Sequence, residues 1–359
     1  MTTLRPIGCL AMIVCLCLTQ NNCAAQDKSQ VQFGKVSPAD FVIPASPIID
    51  SNTNAVILSD IGSVHFVGNK HSWFSYVYKR QTRIKILNKK AFGDLATVTI
   101  PLYKQDDDPE KVDNLFASTY NMENGQVVET KLDKNDVFED KLDKNRFEKK
   151  FTLPAVKEGC IIEYTYTITS DYNFDLPSWE FQWQGYPCLW SEDQVKIPQM
   201  LLYVLVRQGV HAYAVDKGSE GHESYSLTRQ PDGNQLGAQP EDMTVSSNTI
   251  MHRWVMKDIP AFREERYLST PANYLDKIDF QLSRTYDGQE YHDHKNSWKQ
   301  ATQELLTQED FGSTLDEDNY LISDKATEIT AGSADPLEQA KSIYYYVSGH
   351  FTCDNYYNK

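Results

Sequence analysis

The sequence predicts a mainly β protein: an antiparallel β-sandwich of immunoglobulin-like or similar type, followed by a short α-helical segment. Apolar residues recur with a period of two from about residue 56 onward. Hairpin signals separate some of these runs, and a helical period appears only near the C-terminus.

Thr82-Arg83-Ile84-Lys85-Ile86 alternates apolar and charged residues, and Ala96-Thr97-Val98-Thr99-Ile100 alternates apolar residues with threonine. The clearest strand is Cys160 to Ile168. Ile162, Tyr164, Tyr166 and Ile168 share one face, and Glu163, Thr165 and Thr167 form the other, which is expected to be solvated. Val195–Ile197, Leu201–Val206 and His252–Met256 are further strands. Asn124-Gly125 lies between strand-like runs and suits the positive φ of a type I′ turn. Pro231-Asp232-Gly233-Asn234 marks a second turn. Lys131 to Lys150, dense in charge, reads as a solvated and partly helical loop. Trp179-Glu180-Phe181-Gln182-Trp183 fits either a core strand or the lining of a glycan or peptide groove.

The period changes in the tail. Trp298, Ala301 and Leu305 share a helical face, and Asn319 to Thr330 continues the helical pattern. Asp335-Pro336 is a helix start, with Asp as N-cap and Pro in the first turn. Leu337, Ala340, Ile343, Tyr344 and Val347 then form an apolar stripe, and Gly349 is placed to end the helix.

The composition bounds the function. Thirty-five basic and 50 acidic residues give a net charge of −15. With no basic stripe, nucleic acid and anionic membrane surfaces are poor partners. The N-terminus reads as a signal peptide, with Arg5 before an apolar run from Leu10 to Leu18 and Cys23-Ala24-Ala25 as the cleavage site. No later apolar run reaches the roughly 18–20 residues of a membrane helix. The sequence context of Cys17 and Cys23 does not suit lipidation. The expected location is therefore the periplasm, outer envelope or extracellular space. Cleavage would leave Cys160, Cys188 and Cys353, an odd set without framework spacing, although one bridge among them stays open.

No catalytic, cofactor-binding or metal-binding residue is assigned, and no cofactor is expected. His350, Cys353 and Asp354 contain the residue types of a thiol triad but crowd too closely in sequence to form one. His292 and His294 form a His-x-His pair, read as an exposed helix approach. Asp106–Asp108 and Asp316–Asp318 lack the spacing of a calcium loop.

Several ordered segments carry a resemblance. These are Arg83 to Lys90, Thr119 to Gly125 with Lys131-Leu132, Phe151 to Pro154, Val156 to Gly159, Ile161 to Tyr164, Leu176 to Trp179, Phe181-Gln182 and Pro187. Together they resemble the uncharacterised β-sandwich domain that precedes transglutaminase-like (papain-type cysteine hydrolase) cores in secreted bacterial proteins. Asp258 to Ala261, Glu264-Glu265 and Pro271 are similar to that family's linker, and Leu337 to Val347 with Phe351 to the opening helix of the core. The resemblance implies a catalytic Cys in a Gly-x-Cys context on a later helix, with His and Asp beyond it, and no position here matches them. The expected organisation is residues 1–25 signal, 26–55 polar lead-in (in which Asp40 to Ile49 could dock), 56–260 sandwich, and 261–359 linker and start of an incomplete core. Three functions follow as expectations: a non-catalytic module that binds or positions a substrate or the neighbouring core, a free-standing peptide- or glycan-binding module of the cell envelope, or a hydrolase in its own right. The signal reading predicts that N-terminal sequencing of the exported protein begins at Gln26. A start at Met1 in exported material excludes cleavage.

Overall fold

The alternating segments become strands because every second side chain can leave water while the backbone pairs laterally. The computed structural model describes residues 31–71, 73–105, 108–229, 239–287, 289–294, 297–308, 312–313 and 320–352. The signal segment and the turn at Pro231–Asn234 lie outside these. The chain divides into two units, Met1–His294 and Lys295–Lys359.

In the first unit, β1 (Ala55–Gly68) and β2 (Phe74–Ile86) lead to a one-turn helix, α1 (Phe92–Leu95). β3 (Thr97–Gln105), β4 (Asp108–Pro109), β5 (Lys111–Glu123), β6 (Gln126–Lys131), β7 (Val137–Lys141) and β8 (Arg146–Thr152) follow. Then come β9 (Ile161–Ser170), β10 (Asp175–Glu180), β11 (Cys188–Pro198) and β12 (Leu201–Gln208). The last are β13 (Val215–Arg229), β14 (Glu241–Ile259), β15 (Lys277–Tyr286) and β16 (Tyr291–Asp293). The strands expected from the sequence match these to within one residue, Ala96 and Cys160 lying just ahead of β3 and β9.

A large sheet of eight strands runs β13-β14-β11-β1-β2-β9-β5-β6. Two four-stranded sheets, β4-β3-β8-β7 and β10-β15-β12 with β16 on β15, lie against one of its faces. The facing residues share one apolar core that includes Ile57, Phe74, Ile84, Phe151, Trp179 and Phe280. Ring contacts cross from the large sheet to both small ones: Tyr164 to Phe151 at 6.3 Å, Phe66 to Tyr203 at 6.2 Å and Trp254 to Phe280 at 6.1 Å. The Asn124-Gly125 turn has φ of 51° and 79° and joins Glu123 to Gln126, as a two-residue hairpin requires.

Among the described strands the pairing is antiparallel with one exception: β1 runs parallel to β11, with Ile57 opposite Cys188 and Val64 opposite Val195. An isolated parallel bridge also joins Gln184 to Phe262. The segment Lys131 to Lys150 is not partly helical beyond a single 3-10 turn at Lys134–Asp136. Its charges pair across β7 and β8 instead, Lys149 with Glu139 and Lys150 with Asp140, while Phe151 is buried. The strands also continue past residue 260, because β15 joins β10 and β12.

The outer face of β9 is not solvated as expected. Glu163 is fully buried there beside Arg83, whose Nη2 and Nε lie 2.7 and 3.0 Å from Oε1. The lead-in covers this pair. Gly34 N donates to Glu163 Oε2 at 2.9 Å, and Arg83 donates to the carbonyls of Gln32 and Lys35. Phe41 lies under the Lys85 ammonium at 4.4 Å, and Ser46 donates to Asp258. The lead-in is thus a strap across β2 and β9. Burial raises the Glu163 carboxyl pKa, against the pull of Arg83.

In the second unit, α2 (Trp298–Thr307), α3 (Tyr320–Thr330) and α4 (Pro336–His350) match the helical pattern. Asp335 caps α4 by accepting from Leu337 N at 3.2 Å. The helix runs through Gly349 to His350 and ends at the extended Phe351, since Gly349 is not forced into a positive φ.

Arg83→Ala leaves Glu163 buried without its cation. Urea unfolding is expected to show a loss of about 3–5 kcal/mol, with faster proteolysis in residues 31–41. Replacing both by leucine is expected to recover most of the loss.

Candidate functional site

Three charged side chains sit on the core-facing register of the large sheet, where apolar residues would be expected. Asp60 follows the same alternation as Val64 and Phe66 on β1, Arg80 that of Tyr76 and Tyr78 on β2, and Asp193 that of Val195 and Ile197 on β11.

Asp60 is fully buried and fully used. Arg80 Nε donates to its Oδ1 at 2.9 Å and Nη2 to its Oδ2 at 2.6 Å, a two-pronged charge-assisted pair. Thr82 Oγ1 and Trp183 Nε1 add bonds of 2.9 and 3.0 Å. The guanidinium of Arg80 also faces two indoles, 5.2 Å from the Trp179 ring and 5.5 Å from the Trp183 ring. Trp179 packs directly on Gly62: a Cβ there would lie 2.4 Å from its Cζ3, so only glycine fits.

The aromatic run therefore divides. Trp179 and Phe181 belong to the core, and Trp179 Nε1 donates to Ser191 Oγ at 3.1 Å. Trp183 is half-buried and, with Arg80, Asp94, Glu180, Gln182 and Gln184, lines a cavity of about 550 Å³. Tyr186 closes one side by donating to Asp94 at 2.7 Å. An indole face, a fixed guanidinium, carboxylates and amides together suit a polar ligand with flat or extended parts. A wider cavity of about 630 Å³ borders the strap at Phe33, Phe116 and Lys134. It holds no comparable buried charge network.

Asp193 lies close to Gly62: a Cβ on Gly62 would be 3.1 Å from the Asp193 Oδ1. Burial raises its carboxyl pKa to about 7, opposed by the backbone amide of Gln194 and reinforced by Glu192 and Asp60. Its Oδ2 and the Trp254 Nε1 directly across the β11–β14 pair have no protein partner among the described residues.

Among the described residues, the His292–His294 pair, His350 and the cysteines do not form a catalytic or metal-binding set with one another. His292 lies on a short strand, not a helix approach, and pairs with Asp287 at 2.8 Å, which raises the His292 pKa. His294 shares a 3.0 Å bond with Thr285 Oγ1. His350 stacks on Tyr346, while Cys353 and Asp354 lie outside the described residues, as do Asp106, Asp107 and Asp316–Asp318. Cys160 and Cys188 are free and buried, and burial raises both thiol pKa values, which makes them poor nucleophiles.

Asp193 gives a pH test. Its folded pKa exceeds the unfolded value of 3.8, so the group carries no penalty below that value and progressively destabilises the fold as pH rises toward 7. Asp193→Asn is expected to raise stability at pH 8 by about 1–4 kcal/mol and to change little at pH 4. Equal effects at both pH values in thermal melts would contradict the burial of an ionisable group here.

Comparison with known proteins places these residues in context. No curated protein matches the chain. Among solved structures, a "putative protease" from Parabacteroides distasonis ATCC 8503 shares the fold with a TM-score of 0.50 and 13% identity, over 83% of this chain and 51% of that one. This chain thus spans about half the length of that protein. A "putative nutrient binding protein" from Legionella pneumophila aligns over 82% of this chain and 80% of its own, at 9% identity and a TM-score of only 0.20. Residues 74–232, which carry Arg80, Trp183 and Asp193 but not Asp60, match the family model described as a Domain of Unknown Function with solved-structure structure (DUF3857).

Proposed function

We propose that this chain is the non-catalytic front part of a larger exported transglutaminase-like (cysteine hydrolase) protein. Its β unit binds or positions a substrate or the neighbouring core. The observation that carries this reading is the fold shared over 83% of this chain but only 51% of the Parabacteroides protein. The helices support it. In α4, Leu337, Tyr344 and Tyr345 are more than 60% exposed, and α2 has no buried residue. Apolar helix faces of this kind are suited to packing against another layer of structure. The residues that would open the transglutaminase-like core are α4 and Phe351.

A second reading rests on the Trp183–Arg80 cavity: a free-standing module of the cell envelope that holds a peptide or glycan. Both readings place the protein in the periplasm, outer envelope or extracellular space, and neither involves nucleic acid.

Limited proteolysis and dye binding separate the two. In residues 26–359 alone, the segment 298–350 is expected to be cut within minutes and to bind a hydrophobic dye. Both signals should fall when the coding sequence that follows is included. Protection of 298–350 in the 359-residue form would count against the first reading. Trp183→Ala is then expected to weaken binding to peptide or glycan arrays at least tenfold if the second reading holds.

A further inference from the structure

A second polar cluster lies at another edge of the first unit. His71 follows β1, Asp108 begins β4 and Asp171 follows β9, and their ligand atoms all lie within 4.8 Å of one another. His71 Nε2 and Asp171 Oδ2 are 3.5 Å apart. Two ligands of a tetrahedral zinc ion with bonds near 2.0–2.1 Å are separated by about 3.4 Å. The cluster faces a cavity of about 350 Å³ that Asn69, Asn173, Thr285 and His294 also line.

The three groups are held in place by their neighbours. Asn69 Oδ1 accepts from the backbone N–H groups of His71 and Trp73, both at 3.0 Å, and so fixes the turn that carries the imidazole. Ser75 donates to Asp171 Oδ1, leaving Oδ2 toward His71. The Tyr172 hydroxyl donates to the Asp108 carbonyl and accepts from Gln105 N at 2.8 Å, which ties the two aspartate segments together. The lining includes two carboxylates and neither Lys nor Arg. Two carboxylates whose oxygens lie within 4.8 Å of each other favour an added cation.

We propose that His71, Asp108 and Asp171 form a binding site for a divalent transition-metal ion, with zinc as the best fit. An imidazole with two carboxylates suits zinc, whereas calcium requires six to eight oxygen ligands. The cavity leaves room for water to complete the coordination. The ion joins the β1–β2 connection, β4 and the segment after β9, so its binding raises the stability of the unit.

The test uses the untagged chain from Gln26, treated with EDTA and dialysed, and titrates ZnCl2 and CaCl2 by calorimetry. Circular dichroism confirms that each variant is folded. One zinc per chain is expected, together with a higher melting temperature. His71→Ala and Asp108→Asn should each weaken zinc binding at least tenfold. His292→Ala, which removes the exposed His292–Asp287 pair, should leave it unchanged. Absence of binding, tighter binding of calcium than of zinc, affinity unchanged in both His71→Ala and Asp108→Asn, or loss of binding in His292→Ala would each overturn the assignment.

Discussion

The buried carboxylate of Asp60 organises the interior. An isolated anion in that position would be costly, and it persists because four donated hydrogen bonds, two from one guanidinium, surround it. Those bonds tie β1 to β2 and to the irregular segment after β10. They also fix Arg80 between two indoles, so the cavity beside it inherits a rigid cationic floor. Asp193 is the counterpart without such compensation, and it meets burial by a raised pKa instead. The candidate site is therefore a by-product of how the core accommodates charge.

The outer face follows a similar rule. Arg83 and Glu163 are opposite one another on β2 and β9, and a sheet face carrying such a pair would ordinarily be left to water. The strap closes over it and uses its own backbone N–H and C=O groups as partners. Proline at residues 38, 44 and 47 suits a segment that crosses strands without joining their ladder.

Much of this architecture was legible in the sequence. The alternation of Ile162, Tyr164, Tyr166 and Ile168 located β9, the Asn124-Gly125 pair fixed a hairpin, and Asp335-Pro336 located α4. The site was harder to read. The irregularity between Ile57 and Ser59 reverses the parity of β1, so Asp60 does not look like a core position when counted from Ile57. It does when counted back from Phe66 and Val64. The burial of Glu163 leaves no mark in the sequence because a covering strap has no periodic signature, and β7 and β8 look helical because their charges pair across strands rather than along a helix. Trp183 stands out in the sequence only as part of an aromatic run. Its separation from Trp179 and Phe181 depends on where β10 ends.

The parallel contact between β1 and β11 bears on how the molecule comes into being. β1 precedes the segment matched by the family model, yet it is hydrogen-bonded on both sides near the middle of the large sheet. A chain begun at residue 74 would expose the edges of β2 and β11 and invite pairing with other molecules. In vectorial synthesis β1 appears early and must await β11, a long-range closure that slows folding. Such a delay keeps the polypeptide extended for longer before the sheet can close.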